Sequence, residues 1–249
     1  MSQPTGITHH YKLNDNAAST TVVDSIGTVD GDSVQNTADI SVEGPGSSSL
    51  SFNGTTDFIE IPDDDDFTPA LTPFTVSAWV YPVAAANFVV ASKGVQTVDG
   101  EWYLLANGVG GLVFQLFDNS VGIGSYIGRR DSTNALASLQ NLWSNVVATY
   151  DGGVTSTCIK IYLNGIQIDD QNSQANVPSF VSVENLAGSL MVGRYNTTYS
   201  NGRIDNVMFF NRELTVDEIL EVYNARHGTE IPAEIDTSRR VEPWERNRI

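Results

Sequence analysis

Short runs of alternating apolar and polar residues recur along most of the chain, and turn residues separate them. Alternation with a period of two is typical of strands that bury one face. Asn164-Gly165, between two such runs, is a strong signal for a two-residue hairpin turn. The predicted strands cover residues 7–13, 50–53, 58–62, 74–82, 88–92, 102–106, 111–117, 143–150, 159–163, 166–168, 190–194 and 204–210. Strands this short and numerous predict an all-β chain folded as a two-sheet antiparallel β-sandwich.

The last predicted strand, residues 204–210, is largely apolar on both faces and leads into a helix. By simple alternation, its even-numbered residues share one face and its odd-numbered residues, including Asp205, share the other. Thr215 and Glu218 form a capping-box pattern ahead of apolar residues at helical spacing, and Gly228 is a plausible stop. Asp205 is a carboxylate in an apolar strand, so we expect it to have a partner.

The charge of the chain excludes several classes of partner. It carries 13 Lys and Arg against 30 Asp and Glu, for a net charge of −17. Such a surface repels phosphate backbones and anionic lipids, so nucleic acid is not an expected partner. No apolar run approaches the length of a membrane span, which argues against membrane insertion. The single cysteine, Cys158, excludes an intrachain disulfide.

Four ordered segments resemble motifs of laminin-G-like jelly rolls, a group within the concanavalin A-like lectins and glucanases. They are F-N-G-T-T-D-F-I-E-I-P at 52–62, F-T-V-S-A-W-V-Y-P at 74–82, W-S-N-V-V-A-T-Y-D-G at 143–152 and G-R-I-D-N-V at 202–207. The resemblance implies a jelly roll with one short C-terminal helix. We expect it to occupy residues 1–228, with residues 229–249 as a C-terminal arm.

The resemblance also implies a structural calcium site. In laminin-G-like jelly rolls, an aspartate of the last strand and one of the first loop often share a Ca²⁺ ion, which points to Asp205 and Asp24 here. Asp15 is a third candidate ligand. The alternative is that Asp205 pairs with Arg203, Arg212 or a turn amide instead.

Two other groups of polar residues are given simpler interpretations. The run Asp63-Asp64-Asp65-Asp66 lacks the spacing of a calcium-binding loop and is expected to be a solvated loop, with a second cation site as the alternative. His9 and His10 are adjacent on a strand and therefore point to opposite faces. We expect them to lie on a half-exposed edge strand.

Candidate sugar-binding residues are aromatic rings with polar neighbours, since rings stack on sugar faces while amides read hydroxyls. They are Trp102, Tyr103, Tyr195, Asn196 and Tyr199. The alternative for each ring is ordinary packing in the sandwich. The paired-carboxylate strand of the glucanases of this fold is not recognisable, so we do not expect an enzyme.

The C-terminal arm is polar, non-periodic and rich in arginine, and such a tail frays unless something holds it. The residues expected to dock it on a neighbouring protein chain are Arg239, Arg240, Trp244 and Arg246. Packing of the arm on its own domain is the alternative.

The expected function is a non-catalytic carbohydrate-binding or adhesion module. Residues 1–6 lack the basic and apolar regions of a signal peptide. Either the sequence boundary hides the signal, or the protein reaches the outside as part of a virion surface, a tail or a secreted assembly. The alternatives are a polysaccharide-cleaving enzyme with an unfamiliar site and a structural particle component without a ligand.

Overall fold

Two antiparallel sheets stack face to face, and one helix covers the outer face of the first sheet. This computed structural model describes residues 4–44, 47–95, 98–120, 125–175 and 180–225. The all-β, two-sheet architecture with a short C-terminal helix is confirmed. Among the described residues, no helix combines the length and the apolar character that crossing a membrane requires.

The first sheet has eight strands, and its longest strand is β19 (Asn201–Phe210). In sheet order it contains β14 (Ile166–Gln167), β13 (Ile159–Leu163), β12 (Ser144–Tyr150), β7 (Phe74–Pro82), β19 (Asn201–Phe210), β5 (Ser48–Asn53) and β4 (Ser41–Glu43). The eighth strand, β1 (Ile7–Tyr11), pairs with the second half of β19, beyond the end of its pairing with β5. The predicted hairpin turn at Asn164-Gly165 joins β13 to β14, and both of its residues have the positive φ that this turn requires.

The second sheet has nine strands. In sheet order they are β15 (Gln171–Ala175), β11 (Ser125–Arg130), β10 (Leu112–Asp118), β9 (Trp102–Ala106), β8 (Val89–Lys93), β16 (Leu190–Val192), β6 (Ile59–Ile61), β3 (Gly31–Ser33) and β2 (Thr21–Val22). A small hairpin, β17 (Arg194–Tyr195) and β18 (Thr198–Tyr199), lies against β8. The helices are α1 (Thr37–Ile40), α2 (Val216–Asn224) and 3₁₀ turns at Asp65–Phe67, Ala135–Leu139 and Ser156–Cys158.

The strand β19 departs from simple alternation at Asn206. Asn206 adopts a positive φ of 49°, and the register of β19 against β7 shifts between Asp205 and Met208. This bulge reverses the faces of the residues that follow it. Val207 therefore joins Ile204 in the main core, and Met208 packs on the outer face. The predicted even and odd faces of this strand are wrong beyond Asp205.

Helix α2 begins with the predicted capping box, which is confirmed. The Thr215 hydroxyl accepts a hydrogen bond from the Glu218 amide, and the Glu218 side chain accepts one from the Thr215 amide. Arg212 adds a two-pronged ion pair to the same carboxylate, at 2.7 Å for each nitrogen. The start of α2 is thereby fixed, so that Ile219 and Val222 pack on the outer face of the eight-stranded sheet.

Replacing Thr215 with alanine is expected to lower the free energy of unfolding by about 1 kcal/mol, because one backbone amide of α2 loses its cap. The Thr215→Ser variant keeps the hydroxyl and is expected to stay close to wild type. Urea unfolding of the three proteins measures the effect. Equal losses for the serine and alanine variants would mean that the threonine methyl group, rather than the cap, stabilises the helix.

Candidate functional site

A row of mostly polar side chains crosses the outer face of the nine-stranded sheet. Each member of the row is directly opposite the next in the strand register, and the order is Glu60, Met191, Ser92, Tyr103 and Gln115. The residues on either side of Glu60, Ile59 and Ile61, point into the core. Alternation along five neighbouring strands therefore brings a carboxylate, a hydroxyl, a phenol and an amide onto one surface.

The β17–β18 hairpin lies beside this row and adds a cation to it. The Arg194 guanidinium stands 4.6 Å from the Phe58 ring centroid and 5.4 Å from that of Tyr199. Its Nε donates to the Asn196 carbonyl at 2.9 Å, and the Arg194 carbonyl accepts from the Ser92 hydroxyl at 2.8 Å. The two cation–π contacts and the hydrogen bond from Nε hold the guanidinium in one place, while the Ser92 hydroxyl holds the Arg194 backbone.

A groove of about 250 Å³ opens where the hairpin meets the row. Met191 contributes an apolar surface to its lining. Its polar lining residues are Glu60, Ser92, Asp99, Ser189, Arg194 and Asn196. The groove thus offers hydroxyl, carboxylate, amide and guanidinium groups, which can both donate and accept hydrogen bonds. Of these residues, only Asn196 was expected from the sequence.

Tyr103 and Tyr195 extend this surface with aromatic rings. Their centroids are 4.8 Å apart, and the Tyr103 hydroxyl donates to Gln115 at 2.9 Å. Burial raises the pKa of both phenols, that of Tyr195 to about 12, so both stay neutral hydrogen-bonding groups. Tyr195, Asn196 and Tyr199 are partly exposed. The structure therefore brings four of the five predicted sugar-binding residues to one face.

Trp102, the fifth predicted residue, is a core side chain, so that prediction is wrong. Its exposed fraction is 0 %, and its indole nitrogen donates to the Phe67 carbonyl at 2.8 Å. Because neighbours on a strand point to opposite faces, Trp102 and Tyr103 could not both lie on the outer surface.

Both oxygens of the Asp24 carboxylate accept hydrogen bonds. Its Oδ2 accepts from His9 Nδ1 at 2.6 Å, while its Oδ1 accepts from three backbone amides at 3.0 to 3.2 Å, those of His10, Ile26 and Gly27. Burial raises the pKa of this carboxyl, but the hydrogen bonds from His10, His9, Gly27 and Ile26 outweigh it and lower the pKa below its usual value. Asp24 is therefore an ionised anchor for the first loop.

Asp205 lies on the opposite face of the eight-stranded sheet from the His9–Asp24 pair. It stands across from Trp79, whose ring stacks on Tyr223 of α2. Its Oδ2 accepts from the side-chain amide of Asn206 at 3.0 Å, and its Oδ1 has no hydrogen-bond partner among the described residues. Burial raises the pKa of Asp205 to about 7, against a smaller lowering by Asn206.

The geometry does not fit one calcium ion shared by the predicted carboxylates. His9 points into the sandwich, where its ring packs on Phe67 and bonds to Asp24. His10 points outward and contacts Asn206 at 3.0 Å. Within the described ranges, Asp15, Asp24 and Asp205 do not form a group of ligand atoms. Asp15 instead accepts from the Val23 amide.

Neither predicted arginine pairs with Asp205. Arg203 donates to the Glu43 carbonyl and stacks on Tyr81, and Arg212 pairs with Glu218. Both alternatives to calcium that named an arginine are therefore wrong.

The acidic run is exposed at Asp63, Asp65 and Asp66, as expected for a solvated loop, but its side chains also make specific contacts. Asp63 accepts from the buried Lys93 at 2.5 Å, and Asp65 accepts from Asn185 at 2.6 Å. Asp64 and Asp66 face the other way, toward His9.

His9 and His10 are each 3 % exposed, which contradicts the prediction that they lie on a half-exposed edge strand. The arm residues Arg239, Arg240, Trp244 and Arg246 lie outside the described residues.

Comparison of the sequence with known families gives one match. The laminin G family model described as "Concanavalin A-like lectin/glucanases superfamily" matches residues 53–220. The chain belongs to the concanavalin A-like lectin/glucanase superfamily. The resemblance predicted from the four motifs is thus confirmed. No curated protein matches the sequence.

Solved structures with this fold include domain 4 of AbnA, a GH43 extracellular arabinanase from Geobacillus stearothermophilus, in complex with arabinotriose. It is 18% identical with a TM-score of 0.60, and the match covers 87% of this chain and 98% of that one. The botulinum neurotoxin serotype D ligand binding domain, solved with N-acetylneuraminic acid, is 16% identical with a TM-score of 0.61. That match covers 88% of this chain and 51% of the toxin chain, so this chain spans about half of the toxin domain.

Among the groove residues of this superfamily member that the sequence analysis did not identify, only Glu60 carried a signal in the sequence pattern. Glu60 is the one polar residue between Ile59 and Ile61, so alternation alone marks it as an outward carboxylate. Arg194 and Asp99 carried no such signal, because a hairpin and a loop place them at the groove.

Proposed function

We propose that the protein is a non-catalytic carbohydrate-binding module that holds its glycan in the groove beside Arg194 and Asn196. The observation that carries this proposal is the meeting of the polar row with the β17–β18 hairpin. Hydroxyl, carboxylate, amide and guanidinium groups surround the Met191 side chain there, next to the paired rings of Tyr103 and Tyr195. Polar groups that read hydroxyls and apolar surfaces that pack on ring faces are what a sugar requires.

The structural neighbours support this proposal. The Geobacillus domain was solved with arabinotriose and the toxin domain with N-acetylneuraminic acid. Because identity is below a fifth in both cases, these neighbours support a class of ligand and not a particular sugar.

A neutral glycan fits the groove better than an acidic one. Glu60 and Asp99 place two carboxylates against the single guanidinium of Arg194. The chain as a whole has a net charge of −17, which repels sialylated or uronic-acid chains. We therefore expect binding to neutral oligosaccharides.

Replacing Arg194 with alanine is expected to weaken glycan binding at least about tenfold, because a charged hydrogen-bond donor leaves the groove. A glycan array identifies the neutral oligosaccharide that binds wild type best, and calorimetry then measures its dissociation constant for both proteins. A loss of affinity is also expected in Asn196→Ala, because the Asn196 Oδ1 atom has no hydrogen-bond partner among the described residues.

The matched control is Lys160→Ala. Lys160 lines a second groove, of about 220 Å³, on the eight-stranded sheet, so the control also removes one cation from a groove wall. Its affinity for the glycan is expected to equal that of wild type. An array without hits across broad glycan classes, or equal losses in the two variants, would contradict the proposal.

Glycoside hydrolysis is the second candidate, because Glu60 and Asp99 line one groove and that reaction needs two carboxylates. Each already accepts a hydrogen bond, from the Ser189 hydroxyl and the Val95 amide respectively. Release of reducing sugar from a bound polysaccharide, abolished in Glu60→Gln, would favour hydrolysis over simple binding.

Adhesion, and display on a virion surface or other large assembly through the arm, stay predictions from the sequence.

A further inference from the structure

The His9 ring faces the acidic turn at one end of the sandwich. Its Nε2 lies 3.7 Å from Asp64 Oδ1 and 3.7 Å from Asp66 Oδ2. All three atoms lie within 4.8 Å of one another. Asp64 caps the short 3₁₀ turn by accepting from the Asp66 amide at 2.9 Å, so the turn itself holds the two carboxylates side by side.

The hydrogen bond to Asp24 fixes which nitrogen of His9 faces this pair. Asp24 Oδ2 lies 2.6 Å from Nδ1, and the other oxygen of this carboxyl accepts from three backbone amides, so Nδ1 is the ring nitrogen that donates to Asp24. In the neutral ring, Nε2 then directs its lone pair toward the two carboxylates. A carboxylate behind a histidine is the usual arrangement of metal-bound imidazoles, since it fixes the tautomer and raises the basicity of the ligand.

The His9 Nε2 atom faces two carboxylates without a hydrogen-bond partner among the described residues. His9 is 3 % exposed, and its Nε2 is buried. A distance of 3.7 Å to each oxygen is too long for an ordinary hydrogen bond. Ligands held about 2.1 Å from a tetrahedral ion stand about 3.4 Å apart, so a small closure of the turn completes a coordination shell.

We propose that His9, Asp64 and Asp66 bind one divalent first-row transition-metal ion, with Zn²⁺ as the expected species. One imidazole nitrogen and two carboxylates form a donor set that suits zinc, and water completes it on the exposed side of Asp66. Calcium takes oxygen donors almost exclusively and is not expected to compete.

The ion would join three segments that are distant in sequence. His9 lies on β1, Asp24 on the first loop and the two other carboxylates on the turn before β7. Gly27 packs so closely over the His9–Asp24 pair that a Cβ there would overlap both side chains. Because these segments come together only in the folded chain, binding is expected to stabilise it.

The test is calorimetry with ZnCl₂ on the full chain after removal of metals with EDTA. We expect one Zn²⁺ per chain, a rise in melting temperature with ZnCl₂, and no rise with the same concentration of CaCl₂. The Asp64→Asn/Asp66→Asn variant is expected to lose more than about 100-fold in affinity, and Asp24→Asn, through the orientation of the ring, about 10- to 100-fold. Co²⁺ supplies a second readout, a visible absorption band that the double variant lacks.

Asp65→Asn is the matched control, since Asp65 belongs to the same turn but faces Asn185. Its affinity for Zn²⁺ is expected to equal that of wild type. The ligand carboxylates are on the surface, and asparagine caps a turn as well as aspartate does, so the double variant is expected to fold. Absence of stoichiometric Zn²⁺ binding to wild type, or unchanged binding by the double variant, would overturn the proposal.

Discussion

Replacing Asp205 with asparagine is expected to stabilise the protein at pH 8 and to have little effect at pH 4. The pKa of Asp205 is about 7 in the folded chain, against 3.8 for the ordinary group, because the side chain is buried beneath α2. A raised folded pKa means that folding favours the protonated form. The stability that this proton supplies is fully present below pH 3.8 and is lost as pH rises through 7.

The difference of about three pKa units corresponds to about 4 kcal/mol at pH 8. Asparagine avoids this cost because it carries no charge at any pH. Urea unfolding of both proteins at pH 4 and pH 8 measures the difference, and the exposed Asp39→Asn substitution serves as the control. The opposite result, a loss of stability in Asp205→Asn together with stabilisation of wild type by calcium, would make Asp205 the metal ligand that the family resemblance implies.

The calcium prediction required the carboxylates of Asp24 and Asp205 to lie close together. The contacts of the adjacent residues His9 and His10 show why they do not. The His9 side chain contacts Asp24 on the inner side of the eight-stranded sheet. The His10 side chain contacts Asn206, the residue next to Asp205, on the outer side. The sequence shows that the two histidines point apart. It does not show which side chain each one contacts, because those contacts join segments up to 196 residues apart.

Local signals were sufficient wherever a residue pattern acts on its own neighbours. The capping box of α2 and the Asn164-Gly165 turn are both local, and both formed as predicted. The bulge at Asn206 is different, because its left-handed backbone follows from pairing with two neighbouring strands. One shifted residue exchanged the faces of everything after it.

The acidic run is another case in which the contacts depend on residues that are distant in sequence. Four identical residues gave no basis for assigning different roles, and mutual repulsion favoured a solvated loop. In the folded chain, the odd-numbered residues of the run satisfy Lys93 and Asn185, while the even-numbered residues face His9. Only the folded partners, none of which is adjacent in sequence, separate these roles.

Replacing Lys93 with methionine is expected to destabilise the protein by about 3 to 5 kcal/mol at neutral pH. Lys93 and Glu101 are both 0 % exposed, and the ammonium stands 3.1 Å from the Glu101 carboxylate. It also donates to Asp63, at 2.5 Å, and to the Leu186 and Gly188 carbonyls. Methionine fills much of the same space but leaves Glu101 buried without a cation. The surface pair gives the control: Lys160→Met is expected to cost less than about 1 kcal/mol.

The pH dependence of the Lys93→Met variant identifies the cause of its loss. Burial already raises the pKa of Glu101, and removing the ammonium removes one of the interactions that oppose this rise. The penalty in Lys93→Met should therefore increase as pH rises and shrink as Glu101 takes up a proton at low pH. Adding Glu101→Gln keeps an acceptor for the Leu186 amide without the charge, so the double variant should recover part of the stability at pH 8 and lose the pH dependence. Equal losses for the single and double variants at every pH would mean that the lysine stabilises the chain through its contacts with Asp63 and the two carbonyls, and that the buried Glu101 carboxylate contributes nothing.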